Sequence, residues 1–201
     1  MPEFKAHHIW PTPIFENFIE VKSEWLEFCK KVPCKRTTDN NGWISTGIPL
    51  LENDELVDLK NIILEQVSVY VKHHLHVQNN FKIVSSWVTK HDKGDFAQIH
   101  SHKNSLLSGV YYLQTTENCG DLIFNRNNFL SESFMLDLIE PSNVNTTKYK
   151  VPVEDGKLLL FPSTLRHGTP SMMLDNFQRI AISFNMWPHG IIGADDCLLD
   201  A

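Results

Sequence analysis

The hydrophobic period of this chain changes at Asn79-Asn80. Before that point Leu56, Leu59, Ile63, Val67, Val71 and Leu75 step by three or four, the spacing that lines one face of an α-helix. Asn53 stands where it can cap the start, and Asp54 and Glu55 suit the positive end of the helix dipole. After that point the period falls to two. Residues 81–89 alternate on a β-branched background, and short runs over 96–102, 105–114, 121–124, 134–139, 147–151, 157–161 and 178–187 follow, separated by turns such as Asn118-Cys-Gly120, Pro141-Ser-Asn143 and Glu154-Asp-Gly156. About eight short strands at such spacing predict a β-sandwich or small barrel. The run 121–124 is expected to return beside 105–114 as a hairpin.

A length of 201 residues suits one domain, and 42% hydrophobic residues allow a real core. The expected division is an extended lead-in and helices over 1–80, a barrel core over 81–190 and a tail over 191–201. Pro11 and Pro13 bias the residues before them towards extended backbone, a short helix is expected from Glu24 to Lys31, and 33–49 reads as a loop. The net charge of −6 argues against a broadly basic nucleic-acid surface, which leaves small molecules or proteins as partners. Four scattered cysteines form no CxxC pair, and no run of eighteen apolar residues or signal sequence is visible, so a soluble protein of a reducing cytoplasm is expected. The acidic tail from Asp195 to Asp200 is either a free end or a contact in a homodimer.

The candidate chemistry lies at His100-Ser-His102, His167 and Arg179. In an extended strand, residues i and i+2 share a face about 7 Å apart at the backbone, so the two imidazoles can converge on one ion. Imidazole nitrogen suits iron, zinc, copper or nickel and does not itself choose among them. The cluster Lys72-His-His-Leu-His76 has a simpler reading as cations favoured at a helix C-terminus. In the last strand Ile180, Ile182, Phe184 and Met186 make an apolar face, while Arg179, Ala181, Ser183 and Asn185 make a small polar one. A guanidinium aimed into such a pocket needs an anion, either a ligand carboxylate or a protein acid such as Asp175. Tyr111 and Tyr112 face opposite sides of their strand, so at most one reaches the same ligand, with Ser183 or Asn185 as assistants. Trp87 reads as core or as a substrate platform.

These features, in this order, resemble the double-stranded β-helix (jelly-roll, cupin-like) of the Fe(II)- and 2-oxoglutarate-dependent oxygenases. The stretch Ser108-Gly-Val-Tyr-Tyr-Leu113 with Gly120-Asp-Leu-Ile-Phe124 is similar to the prolyl-hydroxylase-like branch. Together with Trp10-Pro-Thr-Pro13, Trp87, Phe161-Pro-Ser163 and the run from Arg179 to Asn185, it resembles a family of such oxygenases found in bacteria and tailed phages. The resemblance implies a mainly β fold with an N-terminal helical region packed on the sheet. It implies Fe(II) held by His100, His102 and His167, and 2-oxoglutarate anchored by Arg179 with Tyr112, Ser183 and Asn185 at hand. It further implies oxidative decarboxylation of 2-oxoglutarate to succinate, coupled to hydroxylation of a protein side chain or small molecule, in the host cytoplasm if phage-encoded.

One departure matters. His102 stands where most of the superfamily has a carboxylate, so three neutral imidazoles would leave the ion at +2; alternatively His100 and His167 bind alone, with water or Asp121 completing the set. Two rival readings remain at this stage, a three-histidine cupin-like dioxygenase that uses no 2-oxoglutarate and a non-catalytic β-barrel binding module. A zinc hydrolase is weaker, because no glutamate sits in a motif marking a general base.

Overall fold

The computed structural model describes residues 11–37, 41–126, 137–142 and 144–200. In chain order the elements are β1 (Phe15–Phe18), α1 (Ser23–Lys31), β2 (Cys34–Arg36), β3 (Trp43–Ser45), α2 (Val57–Val69), β4 (Asn80–His91), β5 (Ala97–His100), β6 (Leu107–Gln114) and β7 (Leu122–Asn125). They continue with β8 (Lys148–Val151), β9 (Lys157–Pro162), β10 (Arg166–Thr169), β11 (Arg179–His189), β12 (Ile191–Ile192) and β13 (Leu199–Asp200). A seven-stranded sheet runs β1-β9-β6-β11-β4-β3-β2, and a four-stranded sheet runs β5-β10-β7-β8. From β4 to β7 successive strands alternate between the sheets, and β8 and β9, then β10 and β11, do so again. This interleaving makes a double-stranded β-helix of the jelly-roll type.

Two apolar layers hold it together. Between the sheets, Val110, Tyr112, Leu159, Phe161 and Ala181 of the larger sheet pack with Leu122, Phe124 and Val151 of the smaller. Behind the larger sheet, Trp25 and Cys29 of α1 and Leu59, Ile63 and Val67 of α2 cover Val88, Tyr111, Ile180, Ile182 and Phe184. Each Val, Leu, Ile or Phe among them, fully buried, contributes about 1.5–3 kcal/mol. The helical region therefore packs on the sheet as its stepped apolar residues require. Buried Lys90 ties β4 to α1 by donating to the carbonyls of Lys30 (2.8 Å) and Val32 (3.4 Å) at the end of that helix.

Several local expectations are corrected. The run 121–124 forms no hairpin with 105–114: β6 pairs with β9 and β11, whereas β7 pairs with β8 and β10. Alternation identifies a strand but not its neighbour, and here the chain crosses between sheets at Gly120, whose φ of +96° suits glycine. The expected loop 33–49 contains the β2–β3 hairpin, which extends the larger sheet beyond β4. Strands of three residues are too short to show a period. Asn53 does not cap a helix through its side chain; its Nδ2 donates to the Leu50 carbonyl (2.6 Å), and two 3-10 turns precede α2. Beyond Val69 the helix widens into a π turn over Tyr70–His74. Of the expected strand 134–139, residues 134–136 lie outside the described residues, and 137–139 are not strand. In the tail β12 and β13 pair with each other as a small separate hairpin. Among the described residues no helix is long and apolar enough to cross a membrane.

Candidate metal centre and anion pocket

The interleaved sheets bring three histidines together. His100, the last residue of β5, lies directly across from His167 on β10. His102 is not on the strand as expected, since β5 ends at His100; its backbone N–H instead donates to the Ser163 carbonyl (3.0 Å), which turns the ring back towards the other two. The ring centroids are 5.0 Å (His100 to His102), 4.6 Å (His100 to His167) and 5.1 Å (His102 to His167) apart. One ring nitrogen from each residue falls within 4.8 Å of the others, and among the described residues no Asp, Glu or Cys joins this group, Asp121 included. Nor do His73, His74 and His76 form such a group.

Backbone carbonyls set the tautomers. Nδ1 of His167 lies 2.8 Å from the Leu165 oxygen, and Nδ1 of His100 lies 2.6 Å from the Gln98 oxygen. A carbonyl only accepts, so in each ring Nδ1 carries a proton and, in the neutral form, Nε2 is the nitrogen with the lone pair, the arrangement by which a second partner orients a metal-binding imidazole. Burial lowers the pKa of His167 to about 3, with His100 and His102 adding to the shift against the Leu165 hydrogen bond. Burial, then His100, lowers His102 to about 4. Neutral rings are what a metal requires. Nε2 of His102 and Nε2 of His167 are 3.2 Å apart. Two nitrogens each about 2.1 Å from one ion at a right angle are separated by about 3 Å. The donor set therefore fits a single transition-metal ion. Phe161 packs edge-on against His167, at 4.7 Å between centroids, and fixes the ring from behind.

A cavity of about 350 Å³ runs from these histidines to Arg179. Arg179, only 5% exposed, is held by neutral acceptors alone. Nη1 donates to the carbonyls of Gly120 (2.7 Å) and Cys119 (3.3 Å); Nη2 donates to Nδ1 of His91 (2.6 Å) and Oγ1 of Thr169 (3.2 Å). Asp175 is instead an exposed partner of Lys93, and among the described residues Arg179 forms no ion pair. Tyr112 and Ser183 line the cavity. Burial pushes the Tyr112 phenol up to about 12 against the pull of Arg179. Tyr111 points the other way and donates to the Ile19 carbonyl (3.1 Å). Asn185 sits beyond the cavity lining, accepting from Ser108 (2.8 Å) and donating to Ser85 (3.1 Å). Trp87 lines the cavity and lies 5.8 Å from the His102 ring.

The sequence pattern does not mark His91, Thr169 or the Gly120 carbonyl as partners of Arg179. His91 shares the parity of Ser85, Trp87 and Thr89, so extending that strand by two residues would have placed it on the Arg179 face. No sequence signal points to Thr169 beyond its being two residues after His167.

A jelly roll enclosing three clustered histidines and a buried cation is an architecture able to hold a non-haem metal centre. Residues 85–185, just over half the chain, match the family described as "Putative 2OG-Fe(II) oxygenase", and the chain belongs to this family of Fe(II)- and 2-oxoglutarate-dependent oxygenases. A search of curated proteins finds no match. Among solved structures, a prolyl-4-hydroxylase of Pseudomonas putida is similar at a TM-score of 0.57 and 12% identity, over 88% of this chain and 92% of that one. HygX of Streptomyces hygroscopicus, crystallised with nickel, 2-oxoglutarate and hygromycin B, has a TM-score of 0.61 and 13% identity over 88% and 83%. A prolyl hydroxylase of Trichoplax adhaerens, in complex with a hypoxia inducible factor peptide fragment, has 0.58 and 15% over 88% and 82%. At these identities the likeness speaks to fold.

Proposed function

We propose that the chain forms a single oxygenase domain in which His100, His102 and His167 hold Fe(II) and Arg179 anchors the far carboxylate of 2-oxoglutarate. The observation that carries this reading is the shared cavity, with three imidazoles at one end and a buried guanidinium without a carboxylate partner among the described residues at the other. A buried cation of this kind gains most from a carboxylate ligand, which supplies the missing opposite charge. Tyr112 and Ser183 flank that carboxylate, and Asn185 acts one step removed, tying β11 to β4 through Ser85 and to β6 through Ser108. Iron, when bound, supplies the oxidative decarboxylation of 2-oxoglutarate to succinate that drives hydroxylation of a C–H bond. The protein supplies lone pairs fixed by the Leu165 and Gln98 carbonyls, a positive anchor for the cosubstrate and apolar walls at Phe161, Leu122 and Val110 that exclude water.

The second substrate is a protein side chain or a small molecule; the prolyl-hydroxylase-like stretch from Ser108 to Phe124 supports the former. Nucleic acid is disfavoured by the net charge of −6. All four cysteines are free, which supports a reducing cytoplasm, and the tail hairpin with exposed Leu198 and Leu199 is a surface for a homodimer. The test is an anaerobic titration of metal-free protein with Fe(II) and then 2-oxoglutarate, followed through the visible charge-transfer band of a chelated 2-oxo acid. A band needing both additions and fading in Arg179→Ala is expected; iron binding without a band in the unaltered protein would sink the cosubstrate assignment.

A further inference from the structure

We propose that His91 is a positioning residue that grips Arg179 through an uncharged acceptor, so that the guanidinium is oriented while its whole charge stays available to the cosubstrate carboxylate. The inference rests on the reading of Arg179 as the cosubstrate anchor. His91 and Arg179 are direct cross-strand partners on β4 and β11, and each is 5% exposed. The guanidinium can only donate, so the 2.6 Å contact makes His91 Nδ1 the acceptor and leaves the ring proton on Nε2. Burial, then the charges of Arg179 and Arg36, hold the His91 pKa down at about 3, which keeps the ring neutral.

The choice of partner is informative because carboxylates are close in sequence. Asp92 and Asp95 follow His91 within four residues, yet both are engaged elsewhere. Asp92 accepts from Trp43 Nε1 (2.9 Å) and Gln178 Nε2 (2.8 Å), and buried Asp95 pairs with Arg36. Had either reached Arg179, it would orient the guanidinium equally well but neutralise its charge, and so weaken its attraction for a ligand dianion. The imidazole is also pinned on its far edge. A Cβ added at Gly42 would lie 2.7 Å from His91 Cδ2 and 2.9 Å from Nε2, so glycine there lets the chain entering β3 close directly on the ring.

The experiment compares the unaltered protein with His91→Asn, His91→Asp and Gly42→Ala, reading 2-oxoglutarate affinity from the anaerobic band titration at saturating Fe(II) and melting temperature without ligands. Asn and Asp present an oxygen near the position of Nδ1 and differ in charge. His91→Asn should weaken 2-oxoglutarate by no more than about threefold, and His91→Asp by tenfold or more, about 1.4 kcal/mol, with its melting temperature held or raised by the new ion pair. Gly42→Ala leaves His91 chemically intact but displaces it, and should also weaken 2-oxoglutarate while leaving Fe(II) affinity unchanged. Equal affinity in the Asn and Asp variants, or losses that track melting temperature alone, would overturn the proposal and leave His91 a packing residue. Absence of the band in the unaltered protein would instead remove the anchor reading of Arg179, and His91's role with it.

Discussion

The two faces of β11 come from the same eleven residues and meet opposite surroundings. Ile180, Ile182, Phe184 and Met186, each no more than 1% exposed, face the helices, while Arg179, Ala181 and Ser183 face the cavity. The neighbouring strands keep phase: Val88 and Tyr111 join the first face, Trp87, Tyr112 and His91 the second. A period of two thus separates stability from chemistry along one strand, with apolar volume deciding the first face and donors and charge the second. Substitutions on the two faces should therefore fail in different assays.

The largest effect is expected on the core face. Ile182→Ala removes a fully buried side chain from the layer under α2 and should cost about 2–5 kcal/mol of folding stability. In urea unfolding the midpoint should fall accordingly, while the fraction still folded binds Fe(II) normally. A loss below about 1 kcal/mol would mean that the layer closes over the gap, and the contrast between the faces would be weaker than stated.

On the site side, His167→Ala should abolish iron retention and lower the uncoupled conversion of 2-oxoglutarate to succinate by at least about 100-fold, more than loss of an outer-shell partner does. At neutral pH its melting temperature without metal should fall, because a buried ring packed against Phe161 is removed. Protonation acts on the same groups. His167 and His102 have folded pKa values of about 3 and 4, against an ordinary 6.5, so the unfolded chain takes up protons before the folded chain does. Their contribution to stability is complete above about pH 6.5 and is lost as pH falls towards 4 and then 3, so metal-free protein should melt progressively lower on acidification through that window. His167→Ala should blunt that dependence; an unchanged acid profile would contradict the assignment.

The two faces differ also in how far sequence reveals them. The alternation of residues 178–187 is plain because one parity is wholly apolar, and the steps from Leu56 to Val71 are plain because a helix buries one stripe. The strands β2 and β3 leave no such trace, being three residues each, and the partners of β6 and β7 depend on chain crossings that alternation does not encode. His100, His102, His167 and Arg179 are legible by type and spacing, and the structure brings them to one cavity. His91 is only half legible: strand parity gives its face, but nothing in the run His91-Asp-Lys-Gly-Asp95 gives the register that sets it opposite Arg179.

A smaller site effect tests how closely β5 and β10, neighbours in the smaller sheet, must approach. Gly168 follows His167 on β10, and a Cβ there would sit 2.6 Å from the Ala97 carbonyl oxygen and 2.9 Å from that of Gln98. Gly168→Ala should push β5 away from β10 and draw His100 off His167, lowering iron affinity by about tenfold, equivalent to about 1.4 kcal/mol. Iron titration of the variant reads this directly. Unaltered affinity would show that the histidines adjust independently of strand spacing.

The smallest expected effect completes the contrast, because it concerns the acid nearest in sequence to Arg179 on the polar side. Asp175 and Lys93 form a 2.8 Å pair with side chains 71% and 52% exposed. Exposed pairs of this kind contribute about 0–1 kcal/mol, screened by salt, because water serves both charges nearly as well. Asp175→Asn should therefore shift stability by less than about 1 kcal/mol and leave 2-oxoglutarate affinity unchanged. If Asp175 instead neutralised Arg179 in solution, its removal would free the guanidinium and tighten 2-oxoglutarate binding, an outcome the band titration would detect at once. The cavity face of β11 is set apart by this difference: its cation is buried among neutral acceptors, whereas the charges four residues earlier are paired in water, where pairing decides little.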